Sequence, residues 1–192
     1  MALGTLYYYP NSPRSSWLLP LAKYLQLEIQ AKSPTEAIEF PSLFMLKKAP
    51  AFISENGFKL TEMVAIALYF VQISGKKEFA GVTDEEKASQ VKWLSFLNSD
   101  FLSSAYSVHT ANSDEEKLKF LEKVKLNLAF VDEQLSRTKF LGGDSPLVSD
   151  MYAYKMLASM KAFGLPVENP ANVERFYEAF KQHPLGELMD SK

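Results

Sequence analysis

The chain has 192 residues, 47% apolar and 23% charged, proportions of a folded chain that fills one domain or two small ones. Lys and Arg number 21 against 23 Asp and Glu, and a net charge of −2 offers no basic field to hold a phosphate backbone, so nucleic acid is not expected as a direct partner. Cysteine is absent and only His109 and His183 supply imidazole, which excludes disulfides, thiolate metal sites and a cysteine nucleophile, and leaves no basis for a zinc cluster or a serine hydrolase triad. Each histidine reads as a surface or helix-end residue, and no metal is expected.

No run approaches the ~20 apolar residues that cross a bilayer. The N-terminal Met1–Thr5 stretch lacks a basic region followed by an apolar one, so a cytoplasmic location without membrane association is expected.

In chain order, Leu3–Tyr9 is aromatic and β-prone, and Pro10-Asn11-Ser12-Pro13 breaks it. Ser12 followed by Pro13 predicts an N-cap with proline at the first helical position, opening a helix through Trp17, Leu18, Leu21, Ala22 and Leu25. Pro20 falls inside that pattern and predicts a kink or an early break. Leu27–Ala31 reads as a second strand, completing a βαβ unit with parallel strands.

Ala49–Ile53 and Phe58–Leu60 flank Asn56-Gly57, a hairpin signal, and Pro50 predicts either an edge position or a cis peptide. Thr61 is placed to cap a helix through Glu62, Met63, Ile66, Ala67 and Phe70. This β-α-β then β-β-α order is that of a thioredoxin-like half-domain.

Composition shifts at Ser74-Gly75-Lys76-Lys77, and all that follows reads as helix. Thr83–Glu86 and Ser113–Glu116 match the capping box. They open helices carrying Val91, Leu94, Phe96 and Leu97, and Leu118, Leu121, Val124, Leu128 and Val131. A helix beginning near Ser145-Pro146 carries Met151, Tyr152, Met156, Leu157 and Met160, apolar on most sides and so central. Val173, Phe176, Tyr177 and Phe180 form a last amphipathic helix before Pro184. The division is a thioredoxin-like domain over 1–74, a linker over 75–82 and an all-α domain over 83–192.

A thioredoxin-like half joined to a helical half resembles the cytosolic glutathione transferase superfamily, an α+β fold. Lys48-Ala49-Pro50-Ala51-Phe52, the hairpin, and Leu60-Thr61-Glu62-Met63-Val64-Ala65-Ile66 are similar to its proline, hairpin and Glu-Ser-x-Ala-Ile signature. Pro10-Asn11-Ser12 with Arg14-Ser15 is similar to the serine loop of the serine-type classes. Asn169-Pro170, Arg175-Phe176-Tyr177 and His183-Pro184 match the closing helix pattern. Within the superfamily the strings Gly4-Thr5-Leu6-Tyr7, Leu60-Thr61-Glu62 and Trp93–Asp100 resemble most nearly the N-terminal domain of the gamma subunit of translation elongation factor 1, in its fungal form. Two departures from the patterns stand out. Met63 occupies the place of a serine hydroxyl, and Leu147 replaces the Ser or Thr expected three residues before Asp150, where Ser145 with Pro146 supplies a shifted cap.

The resemblance implies glutathione as co-substrate. A free thiol titrates near ~8.5, and each unit of lowering needs ~1.4 kcal/mol of preferential thiolate stabilisation. A hydroxyl at a helix N-terminus suits that task, and Ser12 is the candidate catalytic residue, with simple helix capping as the alternative. Tyr7, Tyr8 and Tyr9 compete as donors, although a tyrosine inside a strand is more often packing. For binding, the resemblance implies that a cis Pro50 turns the Ala49 backbone outward to pair with the peptide. Glu62 would accept from its ammonium group, the Met63 amide would donate to its carboxylate, and Lys48 (or Lys47) would pair with the glycine carboxylate. Arg14 and Asp100 are secondary candidates, Asp100 sharing a helix face with Phe96. Tyr106, Phe101 and Met160 are candidates to line an apolar co-substrate pocket, against a plain core role. The activity expected is conjugation of glutathione to small electrophilic or apolar substrates, low or narrow in scope, by a homodimer. The alternative is a non-catalytic dimerisation scaffold docking translation elongation factor subunits or a tRNA synthetase.

Overall fold

The structure, a computed structural model, describes residues 2–191. The chain divides into two compact units, Met1–Val82 and Thr83–Lys192. In the first, β1 (Gly4–Tyr7), α1 (Leu18–Tyr24), β2 (Ile29–Lys32), α2 (Phe40–Leu43), β3 (Ala51–Ser54), β4 (Lys59–Thr61) and α3 (Met63–Ile73) follow in order, with a short 3-10 turn at Lys77–Ala80. The sheet order is β2-β1-β3-β4, with β1 and β2 parallel and the other pairs antiparallel. This is the thioredoxin-like arrangement expected.

Alternation along the strands gives the sheet two buried faces. Leu6 lies opposite Phe52 in the ladder, and Phe52 meets Phe70 of α3 at 5.2 Å between ring centroids. Tyr7 lies opposite Ala51, and on that face both join Ala37, Phe40 and Phe44 in a separate apolar cluster beneath α2. Neither α2 nor its cluster was anticipated, because four residues are too few to display a helical period.

α1 begins at Leu18, not at Pro13. Residues 13–17 form successive turns, and Trp17 holds the N-cap position without a side-chain capping bond. The shift explains Pro20. It now sits in the first helical turn, where a missing N–H removes no intrahelical bond. The Ala49–Pro50 peptide is cis, and β3 is an interior strand, so of the two expectations for Pro50 the cis peptide is the one found. Thr61 ends β4 instead of capping α3. Glu62 takes the N-cap position at φ 69°, again without a side-chain bond.

The second unit contains α4 (Asp84–Phe96), a π-helical turn (Leu97–Phe101), α5 (Leu102–Thr110), α6 (Asp114–Leu135), α7 (Val148–Ala162), α8 (Ala171–Lys181) and α9 (Pro184–Asp190). Thr83 and Glu86 form the complete capping box. Ser113 accepts from the Glu116 N–H, but the Glu116 carboxylate turns to Asn112, so only half the second box forms. α7 is central, with ten of its fifteen residues buried. Pro184 does not end the helical part of the chain but begins α9. The N-cap of that helix, His183, accepts the Leu185 N–H through Nδ1.

The start of α7 departs from the expected serine cap. Leu147 is the N-cap and cannot accept a bond through its side chain. The fully buried Asp150 instead accepts the N–H groups of Leu141 (2.6 Å), Gly142 (3.1 Å) and Leu147 (2.9 Å). One carboxylate thereby ties the preceding loop to the first turn of the helix.

Candidate functional site

The ladder registers decide which sequence candidates share a neighbourhood. Tyr7 pairs with Ala51, and Ala51 pairs with Thr61. The end of β1, the start of β3 and the end of β4 therefore lie side by side, each ~4.8 Å from the next. From these three points leave the loop bearing Ser12, the Lys48-Ala49-Pro50 approach to β3, and the Glu62-Met63 entry to α3. Six candidates distant in sequence thus converge on one end of the sheet.

Ser12 is half-buried, and its hydroxyl makes no hydrogen bond among the described residues. Its carbonyl accepts from Ser15 (3.1 Å) and Ser16 (2.9 Å), and its N–H donates to Tyr9 (3.1 Å). It stands in a chain of turns six residues before α1, which overturns its reading as that helix's N-cap. Any support for a bound thiolate must come from the hydroxyl and the surrounding loop, without the N-terminal potential of α1. Ser15 is completely buried, and its hydroxyl serves the Tyr9 backbone.

Of the competing tyrosines, Tyr7 is committed elsewhere. Its ring is buried at 5.0 Å from Phe40 and 5.8 Å from Phe44, and its hydroxyl donates to Glu39 at 3.0 Å. Burial, reinforced by that carboxylate, pushes its pKa up to about 12. A thiolate-stabilising tyrosine needs a free hydroxyl, so Tyr7 is packing.

Ala49 precedes the β3 ladder, and its backbone N–H and C=O enter no hydrogen bond among the described residues. Lys47 and Lys48 are exposed. At α3 the N–H groups of Met63, Val64 and Ala65 lie in the first turn, where no intrahelical acceptor exists. Glu62 is exposed, and its positive φ is a backbone state that costs a non-glycine residue ~1–3 kcal/mol. The Met63 side chain is buried in the core, so this position offers the end of the sheet a backbone amide only.

The candidates of the helical unit fare differently. Asp100 falls in the π-helical turn Leu97–Phe101, directly after α4 ends at Phe96. Asp100 is exposed and accepts from the Ser99 hydroxyl, and its carbonyl is met by Asn127 Nδ2 at 3.3 Å. Phe101 and Met160 are buried core residues, as the plain core alternative has it, and Tyr106 is exposed. Arg14 is exposed in the Ser12 loop. Among the described residues no helix is long and apolar enough to cross a membrane, and no cluster of His, Asp and Glu is suited to a metal.

Both units match known families. The glutathione S-transferase N-terminal domain matches residues 2–72 and the C-terminal domain residues 85–184. The chain belongs to the glutathione S-transferase family. It is 38% identical over 187 residues to glutathione S-transferase Y-2 of Pichia kudriavzevii, covering 96% of this chain and 98% of the relative. The crystal structure of a glutathione S-transferase from that yeast superposes with a TM-score of 0.86 at 42% identity, covering 97% of this chain and 95% of the other. The elongation factor likeness is present but narrower. Elongation factor 1-gamma 2 of Saccharomyces cerevisiae is 39% identical over 108 residues, 54% of this chain and 26% of that one. The structure of the transferase-like domain of elongation factor 1-gamma from that yeast superposes with a TM-score of 0.79 at 22% identity, covering 100% of this chain and 94% of the other, a likeness of fold.

Proposed function

We propose that this chain binds glutathione at the described end of the sheet and conjugates its sulfur to small electrophilic or apolar substrates. Ser12 donates its hydroxyl to the thiolate. The open Ala49 backbone beside Pro50 pairs with the cysteinyl residue, and Lys48 meets the glycine carboxylate. Glu62 accepts from the ammonium group while the Met63 amide donates to the adjacent carboxylate. Arg14 and Asp100 are secondary contributors, and the working form is a cytoplasmic homodimer, as the family resemblance implies.

The observation that carries this reading is the convergence through Tyr7, Ala51 and Thr61, with an uncommitted hydroxyl at Ser12 and a committed one at Tyr7. The test is glutathione conjugation to a generic electrophile by native protein and Ser12→Ala. A drop of ~10²-fold in kcat supports Ser12 as the thiolate partner. Equal rates remove it.

A second reading draws on the stretch 39% identical to elongation factor 1-gamma 2. In it the fold serves as a dimerisation scaffold that docks translation elongation factor subunits or a synthetase. Absence of conjugation by both proteins, with specific capture of such subunits, favours that reading.

A further inference from the structure

We propose that the buried Ser15 hydroxyl is the positioning residue for this site, holding the Ser12 loop in its reactive shape by replacing, at Tyr9, the ladder bonds the sheet no longer supplies. The inference rests on the reading of Ser12 as thiolate partner.

The argument begins where β1 ends. The ladder stops at Tyr7, and the Tyr8 N–H makes a last bond to the Lys32 carbonyl at 3.1 Å. Tyr9 then leaves the sheet with both backbone groups in need of partners. One side chain meets both. Ser15 Oγ accepts the Tyr9 N–H at 3.1 Å and donates to the Tyr9 carbonyl at 2.9 Å. The same carbonyl also accepts the Ser12 N–H at 3.1 Å, and the Ser12 carbonyl accepts from Ser15 N–H. Tyr9, Ser12 and Ser15 thus close a ring of bonds, and the Ser12 hydroxyl projects from it without a partner. Ser15 has no exposed surface, so water does not compete for its hydroxyl.

Neighbouring hydroxyls sharpen the assignment. Ser16 lies one residue on, and its Oγ is buried with no hydrogen bond among the described residues. It closes no ring. Ser16→Ala is therefore a volume-matched control in the same loop. The role also explains how Ser12 stands fixed without a helix N-terminus behind it, since the turns from Ser12 to Trp17 hang on the Tyr9–Ser15 contact.

Loss of the Ser15 hydroxyl leaves the Tyr9 N–H unpaired and frees the loop to rotate Ser12 away. The expected signature is a weaker hydrogen bond to the thiolate, so the pKa of bound glutathione rises while the peptide's other contacts persist. The experiment compares native protein, Ser12→Ala, Ser15→Ala, Ser16→Ala and Ser12→Ala/Ser15→Ala, each checked for a cooperative thermal transition. Bound glutathione is titrated by thiolate ultraviolet absorbance, and kcat and KM are followed against pH. Ser15→Ala is expected to shift the thiol titration upward and lower kcat by ~5–10-fold near neutral pH, with KM for glutathione changed less than ~2-fold. Ser16→Ala is expected to match native protein, and Ser15→Ala is expected to have no further effect in the Ser12→Ala background. A Ser15→Ala variant that melts earlier yet titrates and turns over as native overturns the inference and leaves Ser15 purely structural. Additive losses in the double variant overturn it as well. If Ser12→Ala itself titrates and turns over as native, the parent assignment of Ser12 fails first.

Discussion

The Tyr7 hydroxyl donates to the Glu39 carboxylate at 3.0 Å, joining the end of β1 to the residue that opens α2. Lys32 Nζ reaches the same carboxylate oxygen at 2.7 Å from the end of β2. The phenol at the strand end is thus part of a clamp on α2 and is not free for a thiol. Tyr7→Phe keeps the ring against Phe40 and Phe44 and is expected to conjugate glutathione within ~2-fold of native. Tyr7→Ala empties a buried aromatic site and is expected to lose ~3–5 kcal/mol of stability in denaturant unfolding. A catalytic defect in Tyr7→Phe matching that of Ser12→Ala would return Tyr7 to the mechanism.

The clamp has a defined pH range. Hydrogen bonding to Lys32 above all, then to its own backbone and to Tyr7, holds the Glu39 carboxyl down at about 2 from an ordinary 4.5. A carboxyl with a lowered folded pKa contributes stability that is complete above its unfolded value and is lost as pH falls through the folded one. Native protein should therefore exceed Glu39→Gln in thermal midpoint by a constant margin from about pH 5 to 9, closing as pH falls towards about 2. At the alkaline end the sign reverses, because burial raises Tyr7 to about 12 and its contribution is lost as pH climbs from about 10 towards that value. Melting curves of the pair across the acid range measure the first effect directly.

Asp150 behaves oppositely. Burial raises its carboxyl from 3.8 to about 7, against the pull of the amide bonds from Leu147, Leu141 and Gly142. A raised folded pKa gives a contribution that is complete below about pH 4 and lost as pH rises through about 7. Asp150→Ala leaves three amides without their acceptor and is expected to cost ~3 kcal/mol or more. Asp150→Asn does not titrate, so its deficit against native protein should be largest at about pH 4 and smallest above about pH 8. Denaturant unfolding at both ends of that range decides it, and a deficit that grows with pH would contradict this account.

Much of this was legible because the signals are local. Asn56-Gly57 announced the hairpin, Thr83-x-x-Glu86 announced a helix start, and the near-continuous apolar run of Met151–Met160 announced a central helix. What was misplaced depends on partners far along the chain. The start of α1 is set by turns hung on the Tyr9–Ser15 contact, and the π-helical turn is accommodated by Asn127 from α6. α2 exists because Phe40 and Phe44 find Tyr7. The strings that pointed to the elongation factor are themselves structural. Gly4 has room for no Cβ, since one would sit 2.7 Å from the Ser54 Cα, and Trp93–Asp100 contains three core side chains, Trp93, Leu94 and Leu97, and most of the π-helical turn. Strings of that kind report a shared fold more directly than a shared task.

Met63 bears on how tightly glutathione is held. At the start of α3 the side chain is 1% exposed and turned into the core, so in the binding mode proposed above the peptide's carboxylate has a backbone amide to meet and no accompanying hydroxyl. One hydrogen bond to a charged group is missing, and affinity is expected to be ~1–2 kcal/mol weaker than in a transferase that carries serine there. Titration calorimetry that returns micromolar affinity for glutathione would refute this. Met63→Ser separates the two effects of the substitution. It empties core volume and should cost ~2–4 kcal/mol in unfolding free energy, while glutathione binding to the folded fraction tightens by ~5–30-fold if the hydroxyl reaches the ligand. Destabilisation with unchanged affinity would mean that the side chain at this position serves packing alone, and that the α3 amides carry the carboxylate unaided.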